Sequence, residues 1–159
     1  MKEFYEVVLS GVAKEDLLAL LNILKSHSER VAAVTASQKL DIENRLCLDQ
    51  KIVTGLCGFD GDVCVTAKLY GFDTISARSD FFVLLRIIKY GKDVNVELCF
   101  DDACLIDVDR VMLALQKYLQ GISDKIRLAE FYGGMEPARD LETRYFTNDI
   151  LGPLFARAR

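Results

Sequence analysis

The apolar and polar positions of the chain fall into stretches with two different periods. Phe4 to Leu9 is a short β-rich run that breaks at Gly11. From Lys14 to Ser26, Leu17, Leu20, Leu21 and Leu24 recur at the spacing of one helix face, widened by Leu18, so a helix is predicted there. Glu15 and Asp16 fall in its first turn, where negative charge suits the helix dipole. Val31 to Ser37 is β-branched and small and reads as a strand. Leu40 to Leu48 alternates apolar and polar, with Asn44 the exception on its apolar face.

Two hairpins follow. In KIVTGLCGFDGDVCVTAKLY, Asp60-Gly61 is a favoured two-residue type I′ turn between β-rich runs. That turn pairs Phe59 with Asp62 and, counting outward, sets Cys57 across from Cys64. In FFVLLRIIKYGKDVNVELCF, a turn centred on Gly91-Lys92 pairs Ile87 with Val96, Leu85 with Leu98 and Val83 with Phe100, and on the other face Arg86 with Glu97. One register therefore yields an apolar face and a charge-matched pair together. Leu84, Ile88 and Cys99 keep the second face partly apolar, which places this hairpin centrally in its sheet.

Asp107 is suited to cap a helix from Val108 to Gln120, with Gly121 closing it and Val108, Val111, Met112, Leu115 and Leu119 forming its buried stripe. Ile126 to Phe131 reads as a short extended piece and Asp140 to Tyr145 as a short helix. Strands joined by tight turns are antiparallel, and strands grouped apart from helices indicate an α+β fold. The expected architecture is a twisted, mainly antiparallel sheet of about six strands with two main helices packed on one face. A more closed, barrel-like sheet is the alternative. Residues 1–159 read as a single domain.

Composition narrows the function. Of the 159 residues 51% are hydrophobic and 28% charged, a globular balance, and the net charge of −4 does not suit a protein that grips a phosphate backbone. MKEFYEVVLSGVAKEDLL has no uninterrupted apolar core between a basic start and a small-residue cleavage site, so it is not expected to act as a secretory signal. The longest apolar stretch, Phe81 to Ile88, is interrupted by Arg86 and falls short of the roughly 20 residues a spanning helix needs. A cytoplasmic protein with neither membrane nor nucleic-acid partners is expected. Five cysteines form an odd set without a C-x-x-C pair, and there is one histidine, so buried reduced thiols are expected in place of a zinc site. His27 ends a helix, where the dipole accounts for it. With no G-x-S-x-G, P-loop, H-E-x-x-H or dinucleotide fingerprint, no catalytic residue, metal or cofactor is assigned.

Two surfaces remain as candidates for binding. Six acids lie between Asp93 and Asp109 without a Lys or Arg. Asp93 has a turn to make, Glu97 pairs with Arg86 and Asp107 caps a helix, which leaves Asp101, Asp102 and Asp109 as an acidic patch able to attract a basic partner. The second is EFYGGMEPARDLETRYFTND, residues 130–149. Gly133-Gly134 permits backbone angles that other residues avoid, Pro137 fixes a turn, and Tyr132, Glu136, Arg139, Asp140, Glu142, Arg144 and Tyr145 supply interface-type side chains.

A small, acidic α+β chain whose tail reads FYGGMEPARDLETRYF resembles bacterial immunity proteins of the contact-dependent inhibition and polymorphic-toxin type. The resemblance implies a protein that binds a cognate toxin domain of basic character, often a nuclease, and neutralises it without chemistry. Two other classes compete. A secretion chaperone or adaptor would hold an extended client along a sheet edge or groove. A small enzyme would use carboxylates such as Glu136 and Glu142.

Overall fold

The computed structural model describes residues 2–40, 47–75, 80–102 and 107–157. Its strands are β1 (Phe4–Ser10), β2 (Arg30–Ala36), β3 (Val63–Tyr70), β4 (Phe82–Tyr90), β5 (Asp93–Asp101), β6 (Glu130–Met135), β7 (Arg144–Thr147) and β8 (Ile150–Leu151). The helices are α1 (Leu17–Ser26), α2 (Gln50–Gly58), α3 (Val108–Ser123) and α4 (Pro153–Arg157). All eight strands join one sheet in the order β2-β3-β4-β5-β1-β6-β7-β8, and every neighbouring pair is antiparallel. The α+β class is as expected, but the described sheet has eight strands and not about six, with four helices and not two.

Period-two alternation sends one face of the sheet into the core. Val63, Val65, Ala67 and Leu69 of β3 face that way, as do Val83, Leu85 and Ile87 of β4 and Val94, Val96 and Leu98 of β5. They form one apolar cluster with Val7 and Leu9 of β1 and the helix residues Leu17, Leu20, Leu21, Leu24, Ile52, Leu56, Met112, Leu115 and Leu119. The 91–92 hairpin has the predicted register from Leu84↔Cys99 to Tyr90↔Asp93, including Leu85↔Leu98, Arg86↔Glu97 and Ile87↔Val96.

The first hairpin does not exist. Residues 50–58, expected as a strand, form α2, so Cys57 is helical and does not face Cys64, whose ladder partner is Ile88. Asp49 caps the helix by accepting from Lys51 N and Ile52 N, and the buried Ile52, Val53 and Leu56 are helix-spaced. Asp60-Gly61 instead turns the chain from α2 into β3. Buried Lys89 donates to the Phe59 and Gly61 carbonyls there, setting a cation at the helix C-terminus.

Two other boundaries move. Asp107 caps α3 through Arg110 N as predicted, but the helix runs through Gly121 to Ser123. Tyr145 lies in a strand, only Leu141–Thr143 being helical, as a 3-10 turn. Residues 41–46 of the alternating stretch between Leu40 and Leu48 lie outside the described residues, as does Cys104; Leu40 and Leu48 at its ends are buried.

Candidate functional site

The other face of the sheet carries no α-helix among the described residues. Alternation places Glu6, Arg86 and Glu97 on it, and the ladders make them neighbours: Arg86 pairs with Glu97, and Cys99 lies between Glu6 and Leu84. Arg86 Nη2 stands 2.9 Å from Glu97 Oε1, 3.4 Å from Glu6 Oε2 and 3.4 Å from Glu136 Oε1. Three carboxylates therefore share one guanidinium. Burial opposes the Arg86 charge, but Cys99, Glu97, Glu136 and Glu6 outweigh it and hold the group firmly protonated.

Burial raises the Glu97 carboxyl; Arg86 pulls it back, and Glu6 and Glu136 push it up again. Because folded Glu97 binds its proton more tightly than the unfolded chain does, its contribution to stability declines as pH rises through its folded titration range. Glu97→Gln, which keeps an oxygen for Arg86 and removes one of three like charges, is expected to leave the melting temperature at pH 7 equal to or above that of the parent. The difference should narrow at pH 4.5, where the parent carboxyl takes up its proton. A lower melting temperature at pH 7 would show that the full charge is needed for folding.

Glu6, Glu97 and Cys99 bring three ligand-type atoms within 4.8 Å of one another. The residues do not fit a metal, because the Arg86 guanidinium already bridges the two carboxylates and burial pushes the Cys99 thiol up to about 12. Iodoacetamide at pH 7.5 should therefore label exposed Cys47 well before buried Cys99 in the native protein, as peptide mass spectrometry would show. Comparable rates would mean that Cys99 is not enclosed.

Residues 136–143, between β6 and β7, form a strap held onto this open face from below. Buried Glu6 accepts from Ala138 N at 2.8 Å. Buried Arg144 donates from Nε to Ala138 O at 2.7 Å, from Nη2 to Arg139 O at 3.1 Å and from Nη1 to Thr147 Oγ1 at 3.0 Å. Its guanidinium also stacks 3.9 Å from the centre of the Tyr132 ring. Val8 and Ala138 are fully buried yet stand apart from the main core, because they pack on the opposite side of the sheet.

Beside the strap, Phe4, Phe82, Leu84, Arg86, Cys99 and Glu136 line a groove of about 450 Å³. Phe4 is 54% exposed at its rim. Further across the face, Lys68 Nζ sits 4.7 Å above the Phe82 ring and the Arg30 guanidinium 4.1 Å above Tyr70.

The expected binding residues divide among three places. Asp101 lines the groove and pairs with Lys2 at 3.8 Å, and Asp102 accepts from Glu3 N at 3.2 Å. Glu136, Arg139, Asp140 and Glu142 are exposed on the strap, while Tyr132 and Arg144 lie beneath it. Tyr145 is instead buried with Tyr5 and Phe155. Burial, with Asp109 as its hydrogen-bond partner, raises the Tyr145 hydroxyl to about 12, so Asp109 and Tyr145 are tied to each other away from the groove. His27 Nδ1 is 2.8 Å from Tyr118 Oη, a tie between α1 and α3. Glu6, Arg86, Phe4 and Leu84 were not singled out by sequence reasoning as site residues. The available signal was a charged residue in the middle of an otherwise apolar strand, in FYEVVL and FVLLRIIKY.

Among the described residues, α-helices pack on one face of an antiparallel sheet and an ion-paired, aromatic-bearing face is left open on the other, which defines an α+β protein. The family described as PABL017 Cdi1I immunity protein matches residues 3–150. The chain belongs to this immunity protein family. It is also similar, at 38% identity and a TM-score of 0.88, to a chain in a crystal structure described as the toxic C-terminal tip of CdiA from Pseudomonas aeruginosa in complex with immune protein. The match covers 97% of this chain and 99% of that one. No curated protein matched.

Proposed function

We propose that the protein binds the toxic C-terminal tip of a CdiA-type toxin and neutralises it by association, without catalysing a reaction, in the cytoplasm of the cell that makes it. The observation that carries this reading is the family match over residues 3–150, joined by near-complete structural correspondence to a chain from a toxin–immunity complex. The non-catalytic part is supported by how the reactive groups are engaged: His27 is tied to Tyr118, the Cys99 thiol is raised, and Glu136 faces Arg86. A cytoplasmic site of action accords with the finding that no helix among the described residues is long and apolar enough to cross a membrane.

The docking surface in this reading is the open face and its rim. Asp101, Asp102, Glu136, Arg139, Asp140 and Glu142 meet the partner directly, and Tyr132 and Arg144 hold the strap that presents them. Asp109 and Tyr145 brace β7 from the helix side. Cells expressing the toxic tip encoded by the gene immediately upstream should stop growing, and coexpression of this chain should restore growth, with the two proteins copurifying. Failure to rescue and to copurify would overturn the reading.

A further inference from the structure

On the reading that the open face docks a toxin, charge and shape together specify what enters the groove. The Lys2–Asp101 pair at one end balances itself, and the charge of Asp80 in the lining is matched in number by that of Lys68 over the Phe82 ring. At the other end Arg86 and Glu136 line the groove, and Glu6 and Glu97 behind them share the same guanidinium, so three carboxylates outnumber one cation, a surplus of two negative charges on a half-buried surface. Between the ends the walls are apolar, with the Phe4 and Phe82 rings, Leu84 and the protonated Cys99 thiol. A neutral partner would cover this surplus without compensating it, and an acidic one would add to it; either leaves unbalanced charge removed from water.

We propose that the groove receives a basic side chain of the toxic tip, arginine in preference to lysine, with its methylene stem between Phe4 and Leu84 and its charged head against Glu136, in the field of the Glu97 carboxylate behind it. Arginine fits better because its planar fork matches a carboxylate, is weakly hydrated and stacks on aromatic rings such as those at the groove wall. One insertion would satisfy both the apolar walls and the charge surplus, the combination found at energetic centres of interfaces. The Arg86 cluster is thus a half-completed ion-pair network that the partner finishes.

The test measures binding of the upstream-encoded toxic tip, in a catalytically inactivated form, to the full chain by calorimetry between 50 and 500 mM salt (about 14 to 4 Å in screening length). Glu97→Gln/Glu136→Gln is expected to weaken binding about tenfold or more and to flatten its salt dependence. Leu84→Arg, which fills the groove with a cation of its own, should weaken it similarly, whereas Leu113→Arg on the exposed side of α3 should stay within about twofold of the parent. Melting curves establish that each variant is folded. Binding within twofold of the parent by either groove variant overturns the inference while leaving toxin neutralisation intact. A parent protein that binds no tip removes the functional reading and this inference with it.

Discussion

Gly134→Ala is expected to destabilise the protein by about 3 kcal/mol, lowering the melting temperature by roughly 10 °C. A β-carbon at Gly134 would collide with Thr143 O and stand 2.8 Å from Arg144 Cα. Both are main-chain atoms at the start of β7 and in the turn just before it, so no rotamer change relieves the clash and β6 and β7 must separate. The β6–β7 register shifts between Gly133 and Gly134, and Gly133 is equally confined, with Phe146 and Val7 2.7 Å from its would-be β-carbon. These glycines are therefore needed for close approach and not, as the sequence suggested, for unusual backbone angles: neither has positive φ. Gly121→Ala supplies the contrast. Nothing lies within 4 Å of an added β-carbon inside α3, so that substitution should stabilise by about 0.5–1 kcal/mol. Equal melting temperatures for the two variants would contradict this close approach of β6 and β7.

Arg144→Ala should cost about 3 kcal/mol and, unlike Gly134→Ala, loosen the strap specifically. Three directional donors go to Ala138, Arg139 and Thr147, and losing them leaves the Ala138 carbonyl without its partner in a buried setting. Tyr132 also loses the guanidinium stacked upon it. Arg144→Lys should recover only part of this, since a single ammonium cannot reproduce three bonds from a planar fork. Arg139→Ala, at an exposed position of the same segment, should change stability by no more than about 0.5 kcal/mol. Hydrogen exchange at the Ala138 amide provides the local measurement, because that amide is bonded to Glu6 within the same network. Unchanged exchange in Arg144→Ala would mean that the strap stands without it.

The outcome at each element follows the range of the forces involved. In the 91–92 hairpin, turn residues, alternation and the Arg86–Glu97 match all favoured one register, and that register is present. At residues 50–58, β-branched Ile52-Val53 and the Asp60-Gly61 pair favoured a hairpin. The Asp49 cap and burial of Ile52, Val53 and Leu56 against the common core favoured a helix and prevailed. In the tail, composition singled out the Tyr, Arg and Glu side chains as interface candidates. Only the fold separates exposed Glu136, Arg139, Asp140 and Glu142 from Arg144 and Tyr145, which are buried for different reasons.

By itself, then, the amino-acid order determined what depends on near neighbours: the α+β class, the α1 stripe, the Asp107 cap, the central hairpin and a tail that resembles immunity proteins. The tertiary structure decided the strand order, which inserts β1 between β5 and β6. That insertion sets Glu6 beside Arg86, 80 residues away, and brings the strap bearing Glu136 over the same cluster. No periodicity encodes such a meeting. It follows from burying a single apolar face beneath the helices, which leaves the charged positions of four distant segments together on the other side.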